Sequence, residues 1–209
     1  MAARKAGGEK DGGPDLLRTV FEVIAEIGPR DGVARRAAER AGVTLAELYR
    51  QFPTEAALIR ALGRRVDEQM LESDQTELDA LPARDRVFEL MMCRFEALQP
   101  FRAGLRRLAR ARPRDPLLLL DTACRLDRSL SWLQTAADLP TRGLRARWSR
   151  RMLGLVYLRT MQVWFDDEGL DMAKTMAQLD RNLRRAESLA GLGERRGQAE
   201  PAEPAGQPA

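Results

Sequence analysis

An all-α fold is the expectation from this chain, and three observations predict it. Leu, Ala, Arg and Glu dominate the 209 residues, while runs of β-branched residues are nearly absent. That balance favours helix over strand. Apolar residues recur every three or four positions through most of the length, the spacing of one helix face. Pro, Gly and Thr punctuate these stretches where helices need starts and stops. At this length the chain can bury one sizeable core, or two small ones sharing an interface.

The elements follow in order. Residues 1–13 are Gly-rich and polar and read as a disordered arm, and Pro14 suits the first position of a helix. Leu16, Leu17, Val20, Phe21, Val23, Ile24 and Ile27 then form an apolar face that ends at Gly28-Pro29. A short helix over Val33–Ala41 stops at Gly42, a residue able to adopt positive φ. Thr44 is a good N-cap for the next helix, and Thr44-Leu45-Ala46-Glu47 has the pattern of a capping box. Pro53-Thr54 marks a further start, for a helix from Glu55 to about Glu72 with Ala57, Leu58, Leu62, Val66 and Met70 on its buried face. Residues 14–60 are therefore expected to form one small unit of three helices and the start of a fourth.

Ser73–Ala83 is polar, contains Pro82 and reads as a linker. Helical periodicity then resumes, giving a second expected unit over residues 61–190. Val87, Leu90, Met91, Phe95 and Leu98 mark one helix, and Phe101–Ala111 and Leu117–Ala137 are two more, stopped by Pro113 and Pro140. Arg142–Asp166 carries two apolar stripes: Leu144, Trp148, Met152 and Leu155 on one side, and Leu153, Val156, Tyr157, Thr160, Met161 and Trp164 on the other. A helix apolar around so much of its circumference needs two partners. After Asp166-Asp167-Glu168-Gly169 a last helix runs to about Ala190, with Met172, Met176, Leu179, Leu183, Ala186 and Ala190 at the spacing of a packed seam. The Pro/Ala/Gly-rich tail, residues 191–209, is expected to be disordered.

Composition excludes several chemistries. The chain has no histidine, which removes the usual general base, metal ligand and pH switch together. With no Gly-rich phosphate loop and no metal-ligand spacing, neither an enzyme nor a cofactor is expected, and Asp166, Asp167 and Glu168 read as helix-terminal residues. Cys93 and Cys124 lie in apolar helical stretches and read as reduced core residues. No apolar run reaches the ~18 residues that span a bilayer. The first residues lack a hydrophobic signal core, so the expected compartment is the cytoplasm.

The net charge is +4, and Arg supplies 32 of the 35 basic residues. Phosphate recognition is one source of such a bias, and a GC-rich genome is the other. Residues 102–114 hold six Arg and no acid, as do residues 142–159. These runs are either solvated helix faces or a place for an anionic partner on the C-terminal half.

Residues 33–52 carry the most information. Two short amphipathic helices meet there at a sharp turn, which is either an ordinary helical corner or a helix-turn-helix whose second helix enters the major groove. Ala41-Gly42-Val43, and Tyr49 two residues ahead of Gln51-Phe52-Pro53, are the most specific pieces. On these residues the stretch 16–62 resembles the TetR/AcrR family of bacterial transcriptional regulators, and the helix count extends the resemblance over the rest of the chain.

The resemblance implies a homodimeric, ligand-responsive repressor: a helix-turn-helix on double-stranded operator DNA, followed by a helical domain with a ligand pocket. The last two long helices, Arg142–Asp166 and Leu170–Ala190, would form the dimer interface. Thr44, Leu45, Ala46 and Glu47 would lie nearest the base edges. Tyr49 and Arg50 suit phosphate contact, with packing of the ring into the turn as the other role for Tyr49, and Arg35 and Arg36 would flank the backbone. The pocket would take a small apolar ligand, with Met91, Met92, Phe95, Trp132, Tyr157 and Met161 either as its lining or as plain core. Glu47, and Glu55 where the family usually has Lys, depart from the pattern. Residues 15–72 hold nine Arg and ten acidic residues, a net of −1, so weak DNA binding with a shallow salt dependence is expected.

A second, shorter resemblance lies at Trp164-Phe165-Asp166-Asp167 with Asp171, Thr175 and Leu179-Asp180. It is similar to the C-terminal signature of a ubiquinone-biosynthesis accessory protein of the same fold. That similarity implies lipid or quinone binding as the alternative function.

Overall fold

Asp15 caps the first helix: its carboxylate accepts a hydrogen bond from the Arg18 backbone N–H at 3.2 Å. Helix α1 therefore spans Leu16–Ile27, with its N-terminus set by this cap. The computed structural model describes residues 15–73, 75–111, 116–169 and 171–190. The arm expected over 1–13, Pro14 and the tail expected over 191–209 lie outside the described residues.

Helices α2 (Val33–Ala41), α3 (Leu45–Gln51) and α4 (Glu55–Leu71) follow the expected punctuation closely. Gly42 adopts φ 67°, and Thr54 accepts from the Ala57 N–H at 3.1 Å to start α4. Ser73–Ala83 is not the featureless linker its polarity suggests. It contains a short helix, α5 (Gln75–Asp79), because Leu78 is buried and Leu81 packs against the core. The remaining elements are α6 (Ala83–Leu98), a 3-10 turn (Gln99–Phe101), α7 (Arg102–Ala111), α8 (Pro116–Ala136), α9 (Gly143–Phe165) and α10 (Ala173–Ala190). No strand occurs among the described residues, and the fold is all-α.

One contiguous apolar cluster runs from Leu17 in α1 to Ala186 in α10. Helix α4 continues without a break through residue 60 and packs against α6 and α8. The head formed by α1–α3 also rests on α7. Phe21 meets Phe101 edge to face at 5.3 Å, and Gly104 lies directly under the Phe21 carbonyl. A Cβ at position 104 would sit 2.5 Å from that oxygen, so only glycine allows α1 and α7 this close.

Helices α9 and α10 form the most extensive helix pair. Leu153, Val156, Tyr157, Thr160 and Trp164 of α9 are buried, and Asn182 of α10 donates to the Thr160 hydroxyl at 3.2 Å. Their turn is held by the buried Asp167. Its carboxylate accepts from the Thr175 N–H and hydroxyl at 2.9 and 2.7 Å and from the Gly169 N–H at 3.3 Å. These three donors keep the Asp167 carboxyl below its ordinary pKa in spite of burial.

Among the described residues nothing covers the first stripe of α9: Leu144, Trp148 and Leu155 are exposed and Met152 is half-buried. Met176 is likewise on the surface of α10. Cys124 also departs from expectation, since it lies exposed on the outer side of α8, while Cys93 is half-buried. A period of three or four marks a helix face, but it does not say whether a neighbour covers it.

Candidate nucleic-acid interface

The turn between α2 and α3 is built from its caps. The Gly42 N–H bonds the Glu39 carbonyl at 3.3 Å, and the Val43 N–H reaches back to the Ala38 carbonyl at 3.0 Å, closing α2. Thr44 then accepts from the Glu47 N–H at 3.2 Å, while the Glu47 carboxylate accepts from the Thr44 N–H at 2.7 Å. The capping box is complete. Ala37 and Ala38 of α2 and Leu48 of α3 are buried, with α2 packed on α1 and α3 packed on α2.

That seating decides which face of α3 is presented. With Leu48 inward, Leu45 is 51% exposed and Tyr49 67% exposed, one turn apart on the same side. Ala46 and Arg50 are exposed beside them, as are Arg35 and Arg36 in the first turn of α2. The Tyr49 ring therefore does not pack the turn. No ion pair among the described residues holds Arg35, Arg36 or Arg50.

Glu47 is not aimed outward. Its carboxylate closes on the Thr44 backbone and hydroxyl, which lower its pKa, the backbone bond most. Other carboxylates of the head are also engaged. Glu26 takes a bidentate bond from Arg40 at 2.6 and 2.7 Å, which lowers the pKa of Glu26 and raises that of Arg40. Glu22 pairs with Arg18 and Asp15 with Arg65, and beyond the head Asp67 of α4 pairs with Arg94 of α6. The nearly balanced charge of residues 15–72 is thus partly sorted in space, with Asp15, Glu22, Glu26, Glu47 and Asp67 engaged and the guanidinium groups of Arg35, Arg36 and Arg50 left exposed on α2 and α3. Apart from Arg18–Glu22, which lies within α1, these ion pairs link residues far apart in sequence, so neighbouring sequence carries no trace of them.

The six residues proposed as pocket lining do not converge on a cavity. Met91, Met92, Phe95 and Tyr157 are core residues, and the Phe95 and Tyr157 rings stack at 5.2 Å. Met161 is half-buried and Trp132 is 52% exposed. Neither of the two cavities described among these residues is lined by any of the six. What the spacing missed lies next to them: the buried Arg94 guanidinium pairs with Asp67, which also accepts from Ser129, and it lies over the Tyr157 ring at 5.4 Å.

The residues of the shorter resemblance have structural tasks. Trp164 is fully buried, Asp167 and Thr175 cap α10, and Asp180 pairs with Arg84 and Arg184. Among the described residues no cluster of His, Cys, Asp or Glu could hold a metal ion, and no helix is long and apolar enough to cross a membrane.

No family sequence model and no curated relative matches the chain significantly. Solved structures do. A TetR transcriptional regulator from Nitrosomonas europaea ATCC 19718 superposes with a TM-score of 0.69 at 26% identity, over 83% of this chain and 96% of that one. A TetR transcriptional regulator from Rhodococcus sp. RHA1 gives 0.58 at 17% identity, over 82% and 92%. The similarity covers more than four fifths of this chain and agrees with the motif read at residues 41–53. Motif and architecture agree on an all-α fold like that of these TetR regulators.

Proposed function

We propose that the chain is a ligand-responsive transcriptional regulator that binds operator DNA as a homodimer. The observation that carries this reading is the outward face of α3: Leu45, Ala46, Tyr49 and Arg50 are exposed on a helix whose opposite side is locked into the head by Leu48. Such a helix presents short and apolar side chains to base edges, while Tyr49, Arg50, Arg35 and Arg36 offer hydroxyl and guanidinium donors to phosphates. With Glu47 and Glu26 engaged elsewhere, neither carboxylate opposes the exposed guanidinium groups of Arg35, Arg36 and Arg50, which supports phosphate contact better than the net charge of the head suggests.

The exposed stripe on α9 supports the dimer. Leu144 (83% exposed), Trp148, Leu155 and Leu158 follow one another at intervals of four, seven and three residues, a continuous apolar seam that is left exposed among the described residues. A second copy would cover it across a two-fold axis, placing two α3 helices for half-sites about one helical turn apart, ~34–36 Å, or a multiple of it. A ligand acts by favouring a dimer geometry that no longer matches this spacing.

Electrophoretic mobility shift with the DNA upstream of its own gene tests the reading. A discrete shift is expected, weakened by Tyr49→Phe and by Arg50→Ala without loss of the dimer. No shift at low salt would overturn it.

A further inference from the structure

A cavity of about 680 Å³ opens where the head meets the rest of the molecule, walled by the end of α1 with the turn after it, by α7, and by the end of α9 with its following turn. Arg30, Arg102, Arg106, Arg107 and Arg110 line it, against a single carboxylate, Glu168. These guanidinium groups are not balanced by pairing. Arg102 donates to the Asp167 carbonyl and Arg106 pairs with Asp166, which fastens α7 to the turn after α9. Arg30, Arg107 and Arg110 have no carboxylate partner among the described residues, and the buried Nε of Arg106 has no hydrogen-bond partner. Cations gathered in one cleft repel one another, and an anion that enters relieves this while collecting charge-assisted hydrogen bonds.

We propose that this cavity binds a small organic phosphate. A monocarboxylate can occupy one guanidinium fork, whereas a phosphate carries close to two charges and three acceptor oxygens, enough for the three unpaired groups, one on the α1–α2 turn and two on α7. Ile27, Pro29, Ala103 and Phe165 complete the lining with apolar surface, which suits the organic part and not a bare ion. The cleft is walled by α1, α7 and the end of α9, and no residue of α3 lines it. Arg30 stands on the α1–α2 turn and Arg107 and Arg110 stand on α7, so one phosphate held by all three ties the head to the body. Occupancy would then restrain the orientation of α2 and α3, a consequence that rests on the regulator reading, while the binding itself does not.

Calorimetric titration of the full chain with naphthyl phosphate, inorganic phosphate and naphthylacetate tests the site. Naphthyl phosphate is expected to saturate one site per chain, at least tenfold more tightly than the other two. Arg107→Gln/Arg110→Gln, and separately Arg30→Gln in the exposed turn, should each weaken it at least tenfold with unchanged ligand-free melting. Arg185→Gln on α10 should bind as the parent does. Absence of saturable binding, equal affinity for inorganic phosphate, or undiminished affinity in both cleft variants overturns the proposal. So does a double variant that loses affinity for DNA in the absence of any phosphate ligand, which would make these arginines duplex contacts. A parent chain that binds naphthyl phosphate but shifts no DNA would sink the regulator reading and leave the site standing.

Discussion

The Glu47 carboxylate closes on Thr44, accepting from its backbone N–H at 2.7 Å and its hydroxyl at 2.8 Å, and this pair holds the start of the exposed helix. The bonds favour the charged form, so the folded pKa lies below the ordinary 4.5. The contribution to stability is therefore complete above the unfolded value and is lost as pH falls through the lower, folded one. A side-chain NMR titration should place the Glu47 midpoint below 4.5. A midpoint at or above it would mean that the box is open in solution. Thr44→Ala removes the cap and should cost about 1 kcal/mol in urea unfolding.

Gly104 is the contact point between α7 and α1. An added methyl would meet the Phe21 carbonyl at 2.5 Å, and backbone on both sides leaves little room for relief. Gly104→Ala should destabilise by about 1–3 kcal/mol through forced separation of the two helices. The same substitution at Gly63, where nothing lies within 4 Å of the added atom, should be neutral or stabilising. Denaturant midpoints for the two variants check this, and equal midpoints would contradict the close approach.

Asp67 on α4 neutralises Arg94 on α6 inside the core. Removing the acid in Asp67→Ala strands a buried guanidinium and should cost about 3 kcal/mol, at the low end for such pairs because the Asp67 side chain is 23% exposed. Asp67→Leu combined with Arg94→Met should recover most of that loss, since it removes the charge as well as its partner. A double-mutant cycle in which the pair is no better than the single variant would argue against this account.

Trp148 and Leu155 test the seam on α9. Trp148→Glu/Leu155→Glu places two like charges on a face exposed in the single chain, so folding should be retained while self-association is lost. Sedimentation should show a dimer for the parent and a monomer for the variant. A parent chain that sediments as a monomer would leave the stripe without the proposed partner.

Much of the helical plan was legible before any coordinates, because helix starts and stops are local chemistry. Gly42 at positive φ, Thr44 and Thr54 as N-caps and the buried faces of α1, α4 and α6 all follow from residues a few positions apart. The misses share another cause. Polarity hid α5, which depends on Leu78 reaching a core made by other helices. Met and aromatic spacing suggested a pocket where Phe95 and Tyr157 fill the space themselves.

Charge shows the division most clearly. By itself the sequence determined the all-α class, the helix-turn-helix and the family resemblance, all of which rest on contacts within a turn or two. Only the tertiary structure decided which of its many arginines are occupied and which are free. Arg40 and Glu26 are 14 residues apart and Arg102 and Asp167 are 65 apart, so their pairing is set by how helices pack. The same packing leaves Arg35, Arg36 and Arg50 exposed on α2 and α3 and Arg30, Arg107 and Arg110 around one cleft. A side chain's partner is a property of the folded surface, and a charge count along the chain cannot contain it.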